Sequence, residues 1–579
     1  MYKTIPLREI AHSRSGEKGN SCMVSVIAYE AEDYALLREQ VTVQAVRKLY
    51  GSIAKSYIVR HEVPTIGALN FVMDEVLEGG RSRTLAFEES GKALSSLMLT
   101  LPVQVPERYV GRSQRARPVT IQPAAEVGRS VRLGSATAWS RDRFEPARDL
   151  VERGRLDYIC FETMSEVTMS AAQVARVDGD VQSVAYDPYL VDRLAPILAE
   201  CKAKGIRIIS NQGWLDPEGA ARRVKELAEA LGIADLKVAA VSGGILTDRV
   251  ADMELKYLET GKPVADTRAD IVSAEVYLGC EGIVRALREQ ADVVLTTRVA
   301  DAALYLGPLA HEFGWRLDDH AKMARGMVVG HLMECGAQLS GGYFADPGYK
   351  DVPDLANLGN PIAEVSEDGI VLSKLPGSGG LLSPATCKEQ LLYEVGDPAR
   401  YLGPDCITNF GAVTFSQSGP DEVAVHVGPD VGSPRTGTLK ALVGLREGYM
   451  TEEMVIFAGP GATERARMTE ALLRKRFEAI GLRPRELRFD YLGVNGVHRE
   501  ASPPPTSASY EVILRVALKT ADRAEADKLR KEIDPLAVNG VAGTGKWATS
   551  AVGSRVRSVI GLSSCLVPRE LVQTKVSVY

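Results

Sequence analysis

The spacing of apolar residues changes character once along the chain. Up to residue 106, short strand-like runs mix with two helix-like stretches. Ile5–Ala11 and Ser21–Tyr29 read as strands, the second rich in Val and Ile. Between them His12–Asn20 (HSRSGEKGN) is polar and glycine-containing, which reads as a loop. Such a loop, with Arg14, Lys18 and Asn20, suits either an anion or docking against the rest of the chain. Apolar residues in Asp33–Leu49 recur near helical spacing. A strand is expected at Ala54–Val59 and a helix at Ile66–Leu77, just after the start signal Pro64–Thr65. Strands at Arg83–Glu88 and Leu94–Val103 complete the order ββαβαββ. This predicts a small ferredoxin-like α+β domain over residues 1–106. Residues 107–129 are polar and proline-containing and read as a linker.

From Val131 short apolar runs alternate with amphipathic helices. Strands are expected at Val131–Gly134, Asp157–Phe161, Ile206–Ser210, Leu236–Val241 and Val293–Thr297. Helices are expected from Glu145 and at Ser165–Val174, Leu190–Lys204, Pro217–Leu231, Glu281–Gln290 and Ala300–Phe313. Residues 130–579 therefore read as an α/β domain of βαβ units on a parallel or mixed sheet, with a subdivision suggested near 340–450, where Gly, Pro and short strands are commoner. Ligands of such sheets collect beyond the C-terminal strand ends. The loops after Phe161, Ser210, Val241 and Thr297 are the places to look.

Composition narrows the function. The 579 residues carry a mild net charge of −6, with no Lys/Arg block. Nucleic acid is therefore not an expected partner, and the short basic run Arg112–Pro118 reads as solvated linker. Eight cysteines without a CxxC pair argue against a disulfide framework or a zinc knuckle. No apolar stretch reaches about 18 residues, and no apolar leader is visible. The expectation is a cytoplasmic protein without membrane contact and, on base rates for such enzymes, a homo-oligomer. No GxGxxG follows a strand, no GxSxG elbow is present, and Gly543–Lys546 lacks P-loop spacing, so no nucleotide cofactor is expected.

The densest chemical cluster is Gly330–Phe344. If the segment is helical to Gln338, then His331, Glu334, Cys335 and Gln338 share one face. A His beside a carboxylate serves as a general base, and a Cys beside His can become a nucleophile. His331 and Glu334 can also share a divalent metal, although no third ligand is evident. The alternative is that His331 caps a buried network and Cys335 is core. Arg298, at a strand end, is suited to clamp a carboxylate. Asp301 can orient it, act as a base or cap the next helix. Asn211 is a candidate substrate contact, whereas Asp216–Pro217 is sufficiently explained as a helix start. Glu162 and Glu166 can divide acid and base roles, although dipole stabilisation alone would account for Glu166. Lys374 lies near the glycine-rich run Gly377–Gly380.

The runs Ala291–Leu304 and Gly330–Gly348, Lys374 with Gly377–Gly380, Thr386–Glu394 with Asp397–Pro398, Pro404–Asp405 and Leu566–Arg569 resemble the core signature of the AtuA (acyclic terpene utilisation) family. Ala11–Asn20 and Gly67–Gly80 resemble that family's small ferredoxin-like domain. In the family the small domain usually follows the large one; here it precedes it. A Thr also stands before Arg298 where the family pattern has Gly. The resemblance implies catabolism of carboxylated, branched acids or their CoA thioesters, by hydratase or lyase chemistry. On this reading Arg298 clamps a carboxylate, His331, Glu334, Cys335 and Asp301 move protons, and Asn211, Gln338, Glu162 and Lys374 contact substrate. Two other readings stay open: a thiol-dependent hydrolase using Cys335, and a non-catalytic partner of an acyl-CoA carboxylase. No cofactor is expected.

Overall fold

The computed structural model describes residues 1–114, 121–122, 129–177, 185–504, 507–546 and 556–579. Most of the expected linker, including the basic run beyond Gln114, lies outside these residues, as does Pro505 of the Pro-rich loop at Ser502–Pro505. Arg112, the start of that run, lies over the Tyr29 ring at 4.6 Å.

The chain is mixed α/β. A ten-stranded sheet forms its frame. Five strands at its centre are parallel, in the spatial order Ser130–Thr137, Tyr158–Phe161, Arg207–Ser210, Val293–Thr296 and Val238–Ser242. Antiparallel strands close both sides. Pro361–Ser366 pairs with Ser130–Thr137, and Lys575–Val578 pairs with Val238–Ser242. The central strands are buried along nearly their whole length, as parallel strands covered on both faces must be. Helices Glu145–Arg153, Pro217–Ala230 and Glu281–Arg288 each bury an apolar stripe. Asp216 caps the second by accepting from Gly219 N–H at 2.7 Å. A second sheet is built on the 21-residue strand Thr438–Ala458, which pairs with Ile271–Val276, Glu511–Thr520 and Arg557–Pro568.

The N-terminal domain holds a four-stranded antiparallel sheet with Ser21–Ala28 and Ala68–Met73 at its centre. Several local expectations are corrected there. His12–Asn20, read as a polar loop, lies largely in the strand Ala11–Lys18, paired with Ser21–Ala28. Its polar side chains are buried because each finds a partner, such as Ser13 Oγ donating to Ser25 O at 2.6 Å. Ile66–Leu77 is not a helix. Gly67 adopts φ 67° and turns the chain into the strand Ala68–Met73. The helix over Asp33–Leu49 is two helices, Tyr34–Gln40 and Val43–Tyr50, the second restarted by Thr42, which accepts from Ala45 N–H at 3.1 Å. The expected strand Ala54–Val59 lies later, at Ile58–Val63. Arg83–Glu88 forms no strand, and Leu94–Met98 is a short helix preceding the strand Pro102–Pro106. In the large domain Leu190–Lys204 is split into Leu190–Leu194 and Leu198–Lys204, with Pro196 between them. Among the described residues no helix is long and apolar enough to cross a membrane.

Candidate functional site

Glu162, Asn211 and Arg298 each follow a parallel strand, so the sheet collects them at one edge. Above this edge lies a cavity of about 460 Å³. The sheet side contributes Glu162 and Arg298, the segment after the helix His320–Met333 contributes Glu334, Cys335 and Gln338, and the N-terminal domain contributes Lys18 and Lys92. The loop after Val238–Ser242 does not line it. That loop is packed so tightly that a Cβ on Gly243 would sit 2.0 Å from Gln573 O.

Arg298 is buried beneath the cavity floor. Its Nη1 donates to Asp301 Oδ1 at 2.7 Å and to Met164 O, and it lies 4.0 Å from Glu162 Oε1. Its guanidinium lies over the Tyr277 ring at 4.4 Å. Burial opposes the charge, but Asp301, Tyr277 and Glu162 more than offset it and keep the group cationic. Its Nε is buried without a partner among the described residues. Glu162 shows the reverse balance. Burial, then Asp301, raise its carboxyl well above the usual range against Arg298 and Asn211. Asn211 is used up internally. Its Oδ1 accepts from Thr163 N–H at 2.8 Å and its Nδ2 donates to Glu162 Oε1 at 3.1 Å. It does not line the cavity and holds Glu162 from behind.

The helix expected to reach Gln338 ends at Met333, and Gly336 turns the chain with φ 52°. The four-residue face is therefore not a single helical face. Glu334, Cys335 and Gln338 still reach the cavity, while His331 lies behind them, buried between Phe410 and Tyr401 at ring distances of 4.8 and 5.3 Å. His331 Nε2 is 3.1 Å from Leu391 O, and Nδ1 is 3.1 Å from Glu334 Oε1, bent away from a full hydrogen bond. A carbonyl only accepts, so Nε2 carries a proton. Nδ1 then faces the Glu334 carboxyl at 3.1 Å. Burial raises the Glu334 carboxyl, partly countered by His331. Burial, then Glu334 and Glu394, also raise the Cys335 thiol, keeping it protonated. Gln338 Oε1 accepts from Arg14 Nη2. Lys374 is elsewhere: Nζ donates to Ser378 O at 2.8 Å and pairs with Asp421 at 3.0 Å, tying down the Gly377–Gly380 loop.

The N-terminal domain supplies Lys18, which the sequence reading offered for an anion or for docking, and Lys92, which it missed. Lys18 Nζ pairs with Glu394 Oε2 at 3.1 Å, and Lys92 Nζ lies 3.0 Å from Glu17 and 3.3 Å from Glu394. Burial would raise the Glu394 carboxyl, but Lys18 and Lys92 overcome it and hold it far below the usual range. Glu394 and Tyr343 on the cavity wall adopt φ 57° and 62°, left-handed conformations that are uncommon for non-glycine residues. The strand Ala11–Lys18 comes so close that a Cβ on Gly16 would lie 2.5 Å from Glu394 Cγ. The polar run His12–Asn20 was the available signal. The run was left open between anion binding and docking because its partners lie hundreds of residues away. Among the described residues, no three His, Cys, Asp or Glu side chains converge in a way that could hold a metal ion.

Fold and cavity together define a two-domain α/β protein with a charged cleft lined in part by its small domain. The family model described as acyclic terpene utilisation family protein AtuA matches residues 131–578, and the AtuA ferredoxin-like domain matches residues 5–104. The chain belongs to that family. No curated protein and no solved structure matches it.

Proposed function

We propose that the protein is an enzyme acting on a carboxylated, branched acid or its CoA thioester by hydratase or lyase chemistry. The observation that carries this is Arg298, a buried cation on the cavity floor whose Nε has no partner among the described residues. A carboxylate is the anion that fits such a guanidinium edge. Beside it, Glu334, whose carboxyl burial raises, is the acid. Asp301, already ion-paired to Arg298, is the base. Hydration, dehydration and retro-aldol cleavage each need one proton delivered and one removed near a carboxylate or thioester. Gln338, its oxygen taken by Arg14, offers its amide NH₂ to a developing oxyanion. His331 and Asn211 position Glu334 and Glu162. Lys374 anchors a loop away from the cavity.

The test is turnover and thermal shift against carboxylated acyl-CoAs and free branched di- and tricarboxylates. A bound ligand should raise the apparent stability by a few kcal/mol. Arg298→Ala should abolish both the shift and at least about 100-fold of turnover. Glu334→Gln should retain binding and lose turnover. In the wild type, turnover should fall as pH rises through the raised Glu334 value, because the acid form is the working one. Unchanged turnover in Arg298→Ala would refute the clamp. The thiol-hydrolase reading predicts rapid inactivation by an alkylator. The neutral thiol of Cys335 instead predicts slow alkylation and near-native turnover of Cys335→Ser.

A further inference from the structure

The cavity holding Arg298 and Glu334 does not end at its own walls. A second cavity of about 500 Å³ adjoins it, and Lys18, Tyr277, Asp301 and Glu394 line both. The far side of the second cavity has a different character. Leu258, Met327, Leu402, Leu439 and Leu566 line it and make it mostly apolar, with Asp397, Arg400 and Lys440 also on its wall. Leu258, Leu402 and Leu566 are 56%, 62% and 44% exposed, so three large aliphatic groups from distant parts of the chain are left wet around one hollow. Single exposed leucines are ordinary, but a convergent set continuous with a charged site marks a ligand surface. At the junction stands Lys18. Its side chain is 45% accessible, and Glu394 Oε2 is its recorded partner at 3.1 Å, so an ammonium with three N–H donors retains hydrogen-bonding capacity toward a ligand.

We propose that the two cavities form one bipartite substrate site, in which the aliphatic half takes an uncharged hydrocarbon chain and Lys18, delivered by the N-terminal domain, contacts a second anionic oxygen at the junction. The inference rests on the carboxylate-clamp reading of Arg298 and extends it to a substrate class: an anion with two acidic oxygens at one end and a hydrocarbon chain at the other. The site is then incomplete without the small domain.

Calorimetric titration with two probes separates the halves. Glutarate has two carboxylates and no chain; octanoate has one carboxylate and a chain. Leu402→Gln combined with Leu566→Gln should weaken octanoate at least tenfold and leave glutarate within about twofold. Lys18→Met should weaken glutarate at least tenfold and octanoate much less, with Lys18→Arg restoring most of the loss. Far-UV circular dichroism and the melting temperature confirm that each variant is folded. Octanoate binding indifferent to the leucine changes, or glutarate binding indifferent to Lys18→Met, overturns the bipartite site. If both probes depend on Arg298 but on none of these residues, the clamp stands and this inference falls. If they depend on Lys18 and the leucines but not on Arg298, the clamp falls instead. Failure of either probe to bind the wild type overturns both. Self-association that disappears in the leucine variant assigns the rim to a second copy of the chain and also overturns the proposal.

Discussion

Glu162 illustrates how burial decides what a side chain is worth. Its Oε1 accepts from Met164 N–H at 2.8 Å and from Asn211 Nδ2 at 3.1 Å, so Gln can replace it with both bonds kept. Its folded-state carboxyl is raised above the unfolded value by burial and by Asp301. The stability it contributes is therefore fully present below the ordinary carboxylate range and lost as pH rises through the raised value. Glu162→Gln lacks this dependence. Between about pH 5 and about pH 8 its unfolding free energy, from urea denaturation, should gain on the wild type by on the order of 1 kcal/mol or more. Parallel pH profiles for the two proteins would show that Glu162 remains ionised. Burial likewise keeps Cys335 a thiol, whereas Arg298 stays a cation against burial because Asp301 and Glu162 lie beside it. Two neighbouring groups thus differ in reactivity for reasons that residue type alone does not reveal.

At the scale of elements, the strand Ala11–Lys18 joins the two domains. His12 Nδ1 lies 2.6 Å from Glu389 Oε1, and Lys350 Nζ donates to the same oxygen at 2.8 Å, all three groups being buried. Burial opposes the Glu389 carboxylate, but Lys350 and His12 outweigh it and lower the carboxyl. Its contribution is present above the ordinary carboxylate range and lost as pH falls through the lowered value. Glu389→Ala leaves Lys350 buried without its partner, which should cost about 3–5 kcal/mol at neutral pH. Chemical denaturation measures this, and the gap to the wild type should close in acid. A loss below about 1 kcal/mol would mean that Lys350 finds water instead.

For the whole molecule, docking of the small domain is continuous with the site. Arg83 reaches Glu447 at 2.7 Å and Ser563 Oγ at 2.9 Å, Arg8 reaches Asp346 at 2.6 Å, and Lys18 and Lys92 reach Glu394. The four tryptophans, at 139, 214, 315 and 547, all lie in the region of the large domain. Tryptophan fluorescence therefore reports that part, while far-UV circular dichroism reports both. If the domains unfold as one unit, the two denaturation curves should coincide. A dichroism change preceding the fluorescence change would mean that the small domain releases first.

The sequence alone determined the large domain well. Strands over 157–161, 206–210 and 293–297 and the helices between them were legible because parallel strands covered on both faces are continuous apolar runs, and amphipathic helices repeat near 3.6 residues. Placing candidate residues at strand ends led to Glu162 and Arg298, and the cluster 331–338 led to Glu334, Cys335 and Gln338. Tertiary structure decided the rest. It made Ala11–Lys18 a strand, because its polar side chains find partners across the domain boundary. It made Ala68–Met73 a strand, because sheet pairing overrode local periodicity. It ended the helix at Met333, turned His331 away from the cavity and tied Asn211 and Lys374 into supporting bonds. It also brought Lys18, which the sequence reading had named without a partner, together with Lys92 and Glu394. Local spacing shows which face of an element a residue occupies; which charges become neighbours is settled only when distant segments pack, because burial and pairing are properties of the assembled surface.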